Sequence, residues 1–379
     1  MVAVSDAAAK LRHMLADTVE SAGWRAALEG VPRELFVGDA AYLRDVVRGD
    51  LWTPIRRADV GEDDWLALVY TDETWVTQVD GVLAEEATSA VTGSPSSSST
   101  TPSLVVRMLE AAHISEGDRV LEIGTGTGYS TALMCHRLGQ EAVTSIEYDL
   151  AVARRAQKAI TAAGYAPVLV VGDGLHGYDD NAPYDRLIGT CSVRTIPPAW
   201  MSQVRAGGTI TTPMWGWMGG VAFAHLTMVG DGTASGRFLR DDLYFMRARS
   251  HMPPPRPPVT TGVGDARESR IDPGILDDEA ALFVAQLAAP AAQRASSGET
   301  TILLDVGTGS RADTRPDPSG GWTVHQHGPL RLWDAVENAI LLWQDAGSPH
   351  QSAFGLTVTR ERQHVWLGEF DGPSWDLPA

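Results

Sequence analysis

Apolar and polar positions alternate along this chain with three different rhythms. In residues 5–22, Leu11, Met14, Leu15 and Val19 share one face at helical spacing. Ser5 stands where a cap belongs and Gly23 where the helix would stop. The run WLALVYTDETWVTQVDG (65–81) alternates with the shorter period of strands, turning at Asp72-Glu73. From Leu104 the two rhythms interleave. Helices are predicted at 104–112, 127–138 and 150–163, and strands at 119–123, 142–147, 167–171, 184–190 and 209–212. Another helix is predicted between the last two strands. Strands alternating with helices at this spacing imply a parallel sheet covered on both faces. Residues 221–239 read instead as two strands around Gly230-Asp231-Gly232, an antiparallel hairpin at the sheet edge.

Two stretches break the pattern. GSPSSSSTT (93–101) has the composition of a flexible linker. MPPPRPPVT (252–260) holds five prolines in positions 253–258, too many for a helix or a paired strand, so it reads as a stiff spacer. The expected division is therefore an N-terminal helical and β-hairpin segment (1–92), a sheet domain (93–250), a proline-rich linker (251–264) and a small accessory α/β domain (265–379). The last would contain helices at 273–287 and 332–345 and strands near 301–306 and 353–359. No internal repeat is visible.

Composition narrows the function classes. With 379 residues, 44% hydrophobic and 21% charged, the chain is long enough for two or three packed cores. A net charge of −18 argues against binding the phosphate backbone of nucleic acid. Two cysteines, Cys135 and Cys191, make neither a disulfide framework nor a thiolate metal site and suit a reducing cytoplasm. No histidine pair has metal-ligand spacing on a helix, so no metal is expected. No apolar run is long enough to cross a membrane, and the N-terminus lacks a signal layout. The 12 tryptophans read as core packing, although aromatic residues also suit peptide-binding grooves.

The densest chemistry lies in VLEIGTGTGYST (120–131). A predicted strand runs into Gly124-Thr125-Gly126-Thr127-Gly128 and a helix begins at once. Glycines there let a ligand lie against bare backbone at a helix N-terminus. A dinucleotide fingerprint places its third glycine five positions after the first. The compressed Gly-x-Gly-x-Gly, two residues after Glu122, favours S-adenosyl-L-methionine instead. Glu147, ending the next strand ahead of Tyr148, is placed to accept both ribose hydroxyls, and Asp173-Gly174 to meet the adenine. Two other stretches are look-alikes. TILLDVGTGS (301–310) copies the strand and Gly-x-Gly, but RADTRPDP follows and excludes a helix. TIPPAW (195–200) echoes the Pro-Pro-aromatic of amino-methylating enzymes, but lies beyond the strand end.

VPRELFV (31–37), TTPSLVVRMLE (100–110), VLEIGTGTGYSTA (120–132), VGDGLHG (171–177) and the stretch from Ala182 to Ile210 together resemble protein-L-isoaspartate O-methyltransferases over about residues 10–250. The resemblance implies a class I methyltransferase: a Rossmann-like, mostly parallel sheet with an antiparallel edge hairpin. It also implies methylation of a side-chain carboxylate, with S-adenosyl-L-methionine as donor and S-adenosyl-L-homocysteine as product. Glu122, Gly124 to Gly128, Glu147, Tyr148, Asp173 and Gly174 would bind the cofactor. Thr100, with Ser99 as helper, would align the substrate carboxylate. Ser103 departs from the bulky residue usual at that helix start, and Cys191, Ser192 and Val193 from the usual alanine-rich stretch; all four should face substrate.

The family's repair enzymes are expected to lack anything like 265–379. The extended chain looks like the methyltransferase of ATP-grasp peptide maturase systems. Its partner would then be a macrocyclic (graspetide) precursor peptide, alongside an ATP-grasp ligase of the same pathway. It would convert one Asp through a methyl ester to aspartimide or isoaspartate. The alternatives are a general isoaspartate repair enzyme and a non-catalytic peptide-binding protein that retains the fold.

Overall fold

The computed structural model describes residues 6–241, 243–318 and 320–378. The chain divides into two compact units. One runs through Thr190 and includes Gln203–Thr211; the other takes Cys191–Ser202 and everything from Thr212 onward.

The first unit opens with two helices, α1 (Asp6–Ala16) and α2 (Ala22–Gly30), where one was expected. The helix breaks because the Thr18 hydroxyl donates back to the Leu15 carbonyl at 2.7 Å, and the Thr18 and Val19 amides tighten onto carbonyls three residues back. Gly23 lies in the first turn of α2 rather than ending a helix, and Ser5 lies outside the described residues. Then come α3 (Glu34–Val37), β1 (Ala40–Arg44), β2 (Leu51–Arg56), α4 (Arg57–Val60) and α5 (Glu62–Val69). Residues 65–69, expected as strand, are helical. Glu62, Asp63 and Asp64 favour a helix N-terminus, while Trp65, Leu66 and Val69 bury one face.

Strand β3 (Trp75–Val79) follows as expected, then β4 (Val82–Leu83), β5 (Val91–Thr92) and β6 (Pro95–Ser99). Strand β6 is the serine run, and it is not a linker. It pairs antiparallel with β3, bringing Val76 opposite Ser98 and Trp75 opposite Ser99. Ser97 and Ser99 point inward. Small side chains there let β6 sit close against a β3 that is buried at every position. No domain boundary therefore falls at residue 92, since β6 completes the sheet built by residues 40–92.

The alternating region forms as read: α6 (Pro102–Ala111), β7 (Val120–Ile123), α7 (Tyr129–Leu138), β8 (Val143–Glu147), α8 (Leu150–Ala162), β9 (Val168–Val171), β10 (Tyr184–Gly189), α9 (Pro198–Gln203) and β11 (Val204–Trp215). The order β9-β8-β7-β10-β11 is parallel throughout. Strand order reverses between β7 and β10, the point in such sheets where ligands characteristically bind. Strand β11 is longer than expected, and the division between the units falls inside it.

The second unit contains the hairpin β12 (Val221–Gly230) and β13 (Thr233–Leu239), turning at Asp231 and Gly232 as expected. It also holds an antiparallel sheet of β14 (Asp265–Glu268), β15 (Ala292–Ser297), β16 (Thr300–Asp305), β17 (Ser310–Pro316) and β18 (Trp322–His327), with α10 (Glu279–Ala288) and α11 (Leu332–Asp345). The chain ends in β19 (Phe354–Val358), β20 (Gln363–Leu367) and β21 (Ser374–Asp376). Strand β19 pairs with β13, bringing Ala234 opposite Val358. The hairpin is therefore not an edge, and residues 265–379 do not form a domain of their own. The proline run is extended as expected, but it is tied down: Gln293 Nε2 donates to the Pro254 carbonyl at 2.8 Å.

Candidate active site

The glycine loop joins β7 to α7. Gly124, Gly126 and Gly128 have φ of 104°, 55° and 89°, the left-handed region that side chains resist. The Gly124 and Thr125 amides donate to the Ile146 carbonyl at 2.8 and 3.1 Å, fastening the loop to β8. At Gly128 a Cβ would stand 2.9 Å from Ile160, so the missing side chain lets α8 approach. At Gly126 the nearest atom to such a Cβ would be the Ser98 carbonyl oxygen at 3.8 Å. The loop's bare backbone thus faces β6, with ordinary contact distance between them. Thr125 and Thr127 are each 4% exposed. Their side chains point inward, Thr125 to the Ser145 hydroxyl at 2.6 Å, so only their backbone is available to a ligand.

Glu122 is not a ligand contact. It is fully buried and accepts hydrogen bonds from Ser130, from Thr131 at 2.5 Å and from Ser145 at 2.7 Å. It ties the first turn of α7 to β8 from below. Burial pushes its carboxyl pKa up to about 7, against the pull of those three hydroxyl donors.

Glu147 ends β8 beside the loop. One oxygen accepts the Gly126 amide at 2.8 Å and the other the Asp149 amide at 3.0 Å. Tyr148 is 53% exposed at the same strand end. The Gly172 amide donates to the Glu147 carbonyl at 2.9 Å, and Asp173 accepts the Leu175 amide at 3.0 Å. Gly174 is required for packing, because a Cβ there would lie 2.4 Å from Ile123. The carboxyl ends of β7, β8 and β9 therefore gather the glycines, Glu147 and Asp173 on one edge of the sheet. Thr190, which the sequence did not single out, fastens the end of β10 to β7 through its amide and hydroxyl on the Ile123 carbonyl at 3.0 and 2.9 Å.

On the other side of the loop, Ser99 is 1% exposed and its buried Oγ has no hydrogen-bond partner among the described residues. Such an orphaned hydroxyl is uncommon enough to mark a site. Thr100 is half-buried next to it. Both are held by Arg33, a residue to which the sequence assigned no role. Its guanidinium, with no solvent exposure, donates to the carbonyls of Val69 (2.7 Å), Thr71 (2.6 Å), Glu73 (2.7 Å), Ser99 (3.3 Å) and Thr100 (3.4 Å). Burial lowers its pKa to about 10, which leaves it charged at neutral pH. The available signal was a lone arginine among Val31, Phe36 and Val37, all buried. Half-buried Ser103, in the first turn of α6, donates its amide to Asp72 at 2.9 Å.

Cys191, Ser192 and Val193 fall in the second unit. Ser192 is fully buried, donating its hydroxyl to the Phe245 carbonyl at 2.6 Å and accepting the Phe245 amide at 3.1 Å. Val193 is likewise buried and bridges to Met214. Neither side chain can face a substrate; of the three, Cys191 alone is partly exposed. The look-alike loop after β16 turns directly into β17, with no helix. Among the described residues, no helix is long and apolar enough to cross a membrane.

Residues 73–221 match the family described as protein-L-isoaspartate(D-aspartate) O-methyltransferase. The match takes in β6, the glycine loop, Glu147 and Asp173. A protein-L-isoaspartate O-methyltransferase of Ignicoccus hospitalis is 43% identical over 115 residues, 30% of this chain and 54% of that protein. Another, from Polaromonas sp., is 37% identical over 142 residues, 36% of this chain and 64% of the relative. The chain thus spans between half and two thirds of the length of these curated relatives. A solved protein-L-isoaspartate O-methyltransferase superposes with a TM-score of 0.56 at 19% identity, covering 95% of this chain and 99% of its own. That coverage overturns the expectation that residues 265–379 have no counterpart among proteins so named. The fold is that of class I methyltransferases, and its central segment is similar to the protein-L-isoaspartate O-methyltransferases.

Proposed function

We propose that this chain methylates the side-chain carboxylate of isoaspartyl residues in proteins or peptides, using S-adenosyl-L-methionine. The observation that carries the reading is the family match over 73–221, which includes both the glycine loop and the orphaned Ser99 hydroxyl beside it.

The residues present fit that cofactor. Gly124 and Gly126 take left-handed φ without side chains at the start of the loop, and Glu147 stands at the strand end for ribose hydroxyls. Gly124, Gly126, Gly128, Glu147, Tyr148, Asp173 and Gly174 would hold it. When bound, it supplies an electrophilic methyl group on a sulfonium.

The chain's own task is then mainly orientation. A substrate carboxylate, with an ordinary pKa of about 3.9, is already ionised at neutral pH and needs no base. Ser99 and Thr100 donate hydroxyl hydrogen bonds that align it, and Arg33 holds the backbone of both. Proximity of this kind is a large catalytic effect in its own right. The ester then closes to a succinimide as the next residue's backbone nitrogen attacks and methanol leaves.

Mass spectrometry of three peptides incubated with the chain and S-adenosyl-L-methionine tests this. They are a linear isoaspartyl peptide, its aspartyl twin and a side-chain-macrocyclised peptide. The reading expects a methyl ester on the isoaspartyl peptide and none on its twin. Methylation confined to the cyclised peptide would replace it with peptide tailoring in an ATP-grasp pathway. No methylation of any peptide would leave a binding protein that kept the fold.

A further inference from the structure

The second unit carries two half-buried arginines whose charge finds no carboxylate partner among the described residues. Arg194 lies 3.7 Å from the ring centroid of Trp217, and Arg247 lies 3.8 Å from that of Trp215. The other arginine–aromatic contacts described are longer, from 4.3 Å at Trp24 to 6.0 Å at Tyr129. Both stacks are built on one backbone platform. Ser192 bridges to Arg247 and Val193 to Met214, both in parallel. The Ala248 amide donates to the Ser192 carbonyl and the Trp215 amide to the Val193 carbonyl, each at 2.9 Å.

Each guanidinium has five N–H groups. Arg194 gives one to the Pro290 carbonyl and Arg247 one to the Gly216 carbonyl, each at 2.9 Å. The Nε of both is buried with no acceptor among the described residues. Burial alone pushes the Arg247 pKa down to about 10. Burial also lowers that of Arg194, with Asp305 offsetting it from beyond ion-pairing distance.

A chain with 48 acidic residues has ample means to neutralise two half-buried cations, yet none stands at contact among the described residues. Burying an unmatched charge costs stability, and such sites concentrate where a ligand completes them. Each guanidinium sits over its ring and keeps N–H donors beyond the one given to a carbonyl, and paired guanidinium N–H groups match a carboxylate. Tyr244, 60% exposed, meets Trp215 edge-on at 5.7 Å and extends the aromatic wall. Two separated cations on aromatic walls suit side-chain carboxylates along a peptide. A phosphodiester chain would need a denser basic patch on a less acidic protein.

We infer that Arg194 and Arg247 form a binding site for the carboxylates of an acidic peptide segment. The inference does not depend on methyl transfer. It is tested by titrating a short Glu- and Asp-containing peptide, and its Gln and Asn counterpart, into the full chain without cofactor. Binding is read by tryptophan fluorescence and calorimetry. The acidic peptide should bind about tenfold or more tightly than its amide twin, as expected for a charge-assisted fork. Arg194→Gln and Arg247→Gln should each remove that preference while the melting temperature holds. Arg247→Lys, which keeps the charge and loses the fork, should retain only part of it. Equal affinity for the two peptides, or unchanged affinity in both Gln variants, overturns the inference. Should the Gln variants not fold, the Lys variant and salt dependence decide. Acidic-peptide binding that ignores salt, or that survives Arg247→Lys in full, overturns it as well. So does a phosphopeptide or a single-stranded oligonucleotide binding as tightly.

Discussion

Glu122-Ile123-Gly124-Thr125-Gly126 and Asp305-Val306-Gly307-Thr308-Gly309 are near copies within one chain, each ending a buried strand. The first opens a helix and the second turns back into β17. Their acids explain part of the divergence. Glu122 is long enough to reach Ser130 and Thr131 in α7, so it braces a helix start. Asp305 accepts the Thr308 amide at 3.1 Å, closing its own turn. The residues that follow explain the rest: a helix-forming YSTALMCHRL in one case, and SRADTRP, pairing with β16, in the other. A glycine motif becomes a candidate ligand site through its surroundings: a helix N-terminus and a neighbouring strand-end acid.

Breaking the first loop should have the largest effect. Gly128→Val puts a branched side chain at φ 89° against Ile160. It should cost about 2–4 kcal/mol by denaturant unfolding and abolish cofactor binding. Undiminished affinity would show that the loop is not the cofactor's.

Glu147→Ala removes the acceptor of the Gly126 amide and the proposed ribose contact. Cofactor affinity should fall by roughly ten- to a hundredfold with the fold intact. Asp305→Ala, the matching change at the copy, should leave affinity alone. Calorimetry separates the two, and a similar loss in both variants would erase the distinction.

The smallest effect should appear in the pH dependence of stability. Folding raises the Glu122 pKa to about 7, so the folded chain binds more protons than the unfolded one between roughly pH 4.5 and 7. Its contribution to stability is therefore greatest below that window and is lost as pH rises through it. Glu122→Gln, which cannot ionise, should give a flatter melting temperature from pH 5 to 8 than the wild type. Parallel curves would contradict the shift.

The alternating region was legible because each of its elements carries its own period and its partners are near neighbours in sequence. The glycines, Glu147 and Asp173 were legible for the same reason, being strand-end residues of that region. What failed was information about distant partners. Strand β6 looks like a linker until β3 is seen to need a neighbour with small inward side chains, such as Ser97 and Ser99. The pairing of β13 with β19 joins residues more than a hundred positions apart, and no local pattern reports it. Arg33 was invisible as a site residue because its five carbonyl partners come from two separate segments. Ser192 and Val193 were misplaced for a related reason. Departures from a family's pattern mark a difference, but only packing against Phe245 and Met214 shows that these two side chains point inward.

Gly126→Ala and Gly309→Ala form a matched pair for the most direct test. Both glycines have φ in the left-handed region, 55° and 70°, and neither Cβ would meet an atom closer than ordinary contact. Each change should cost about 1 kcal/mol of stability. Calorimetric titration of S-adenosyl-L-methionine into the two variants and the wild type is the measurement to make. The account expects one site per chain in the wild type and in Gly309→Ala, with affinity in Gly126→Ala lowered tenfold or more, about 1.4 kcal/mol. Equal affinity in all three, or a loss confined to Gly309→Ala, would contradict the assignment of the loop at 124–128.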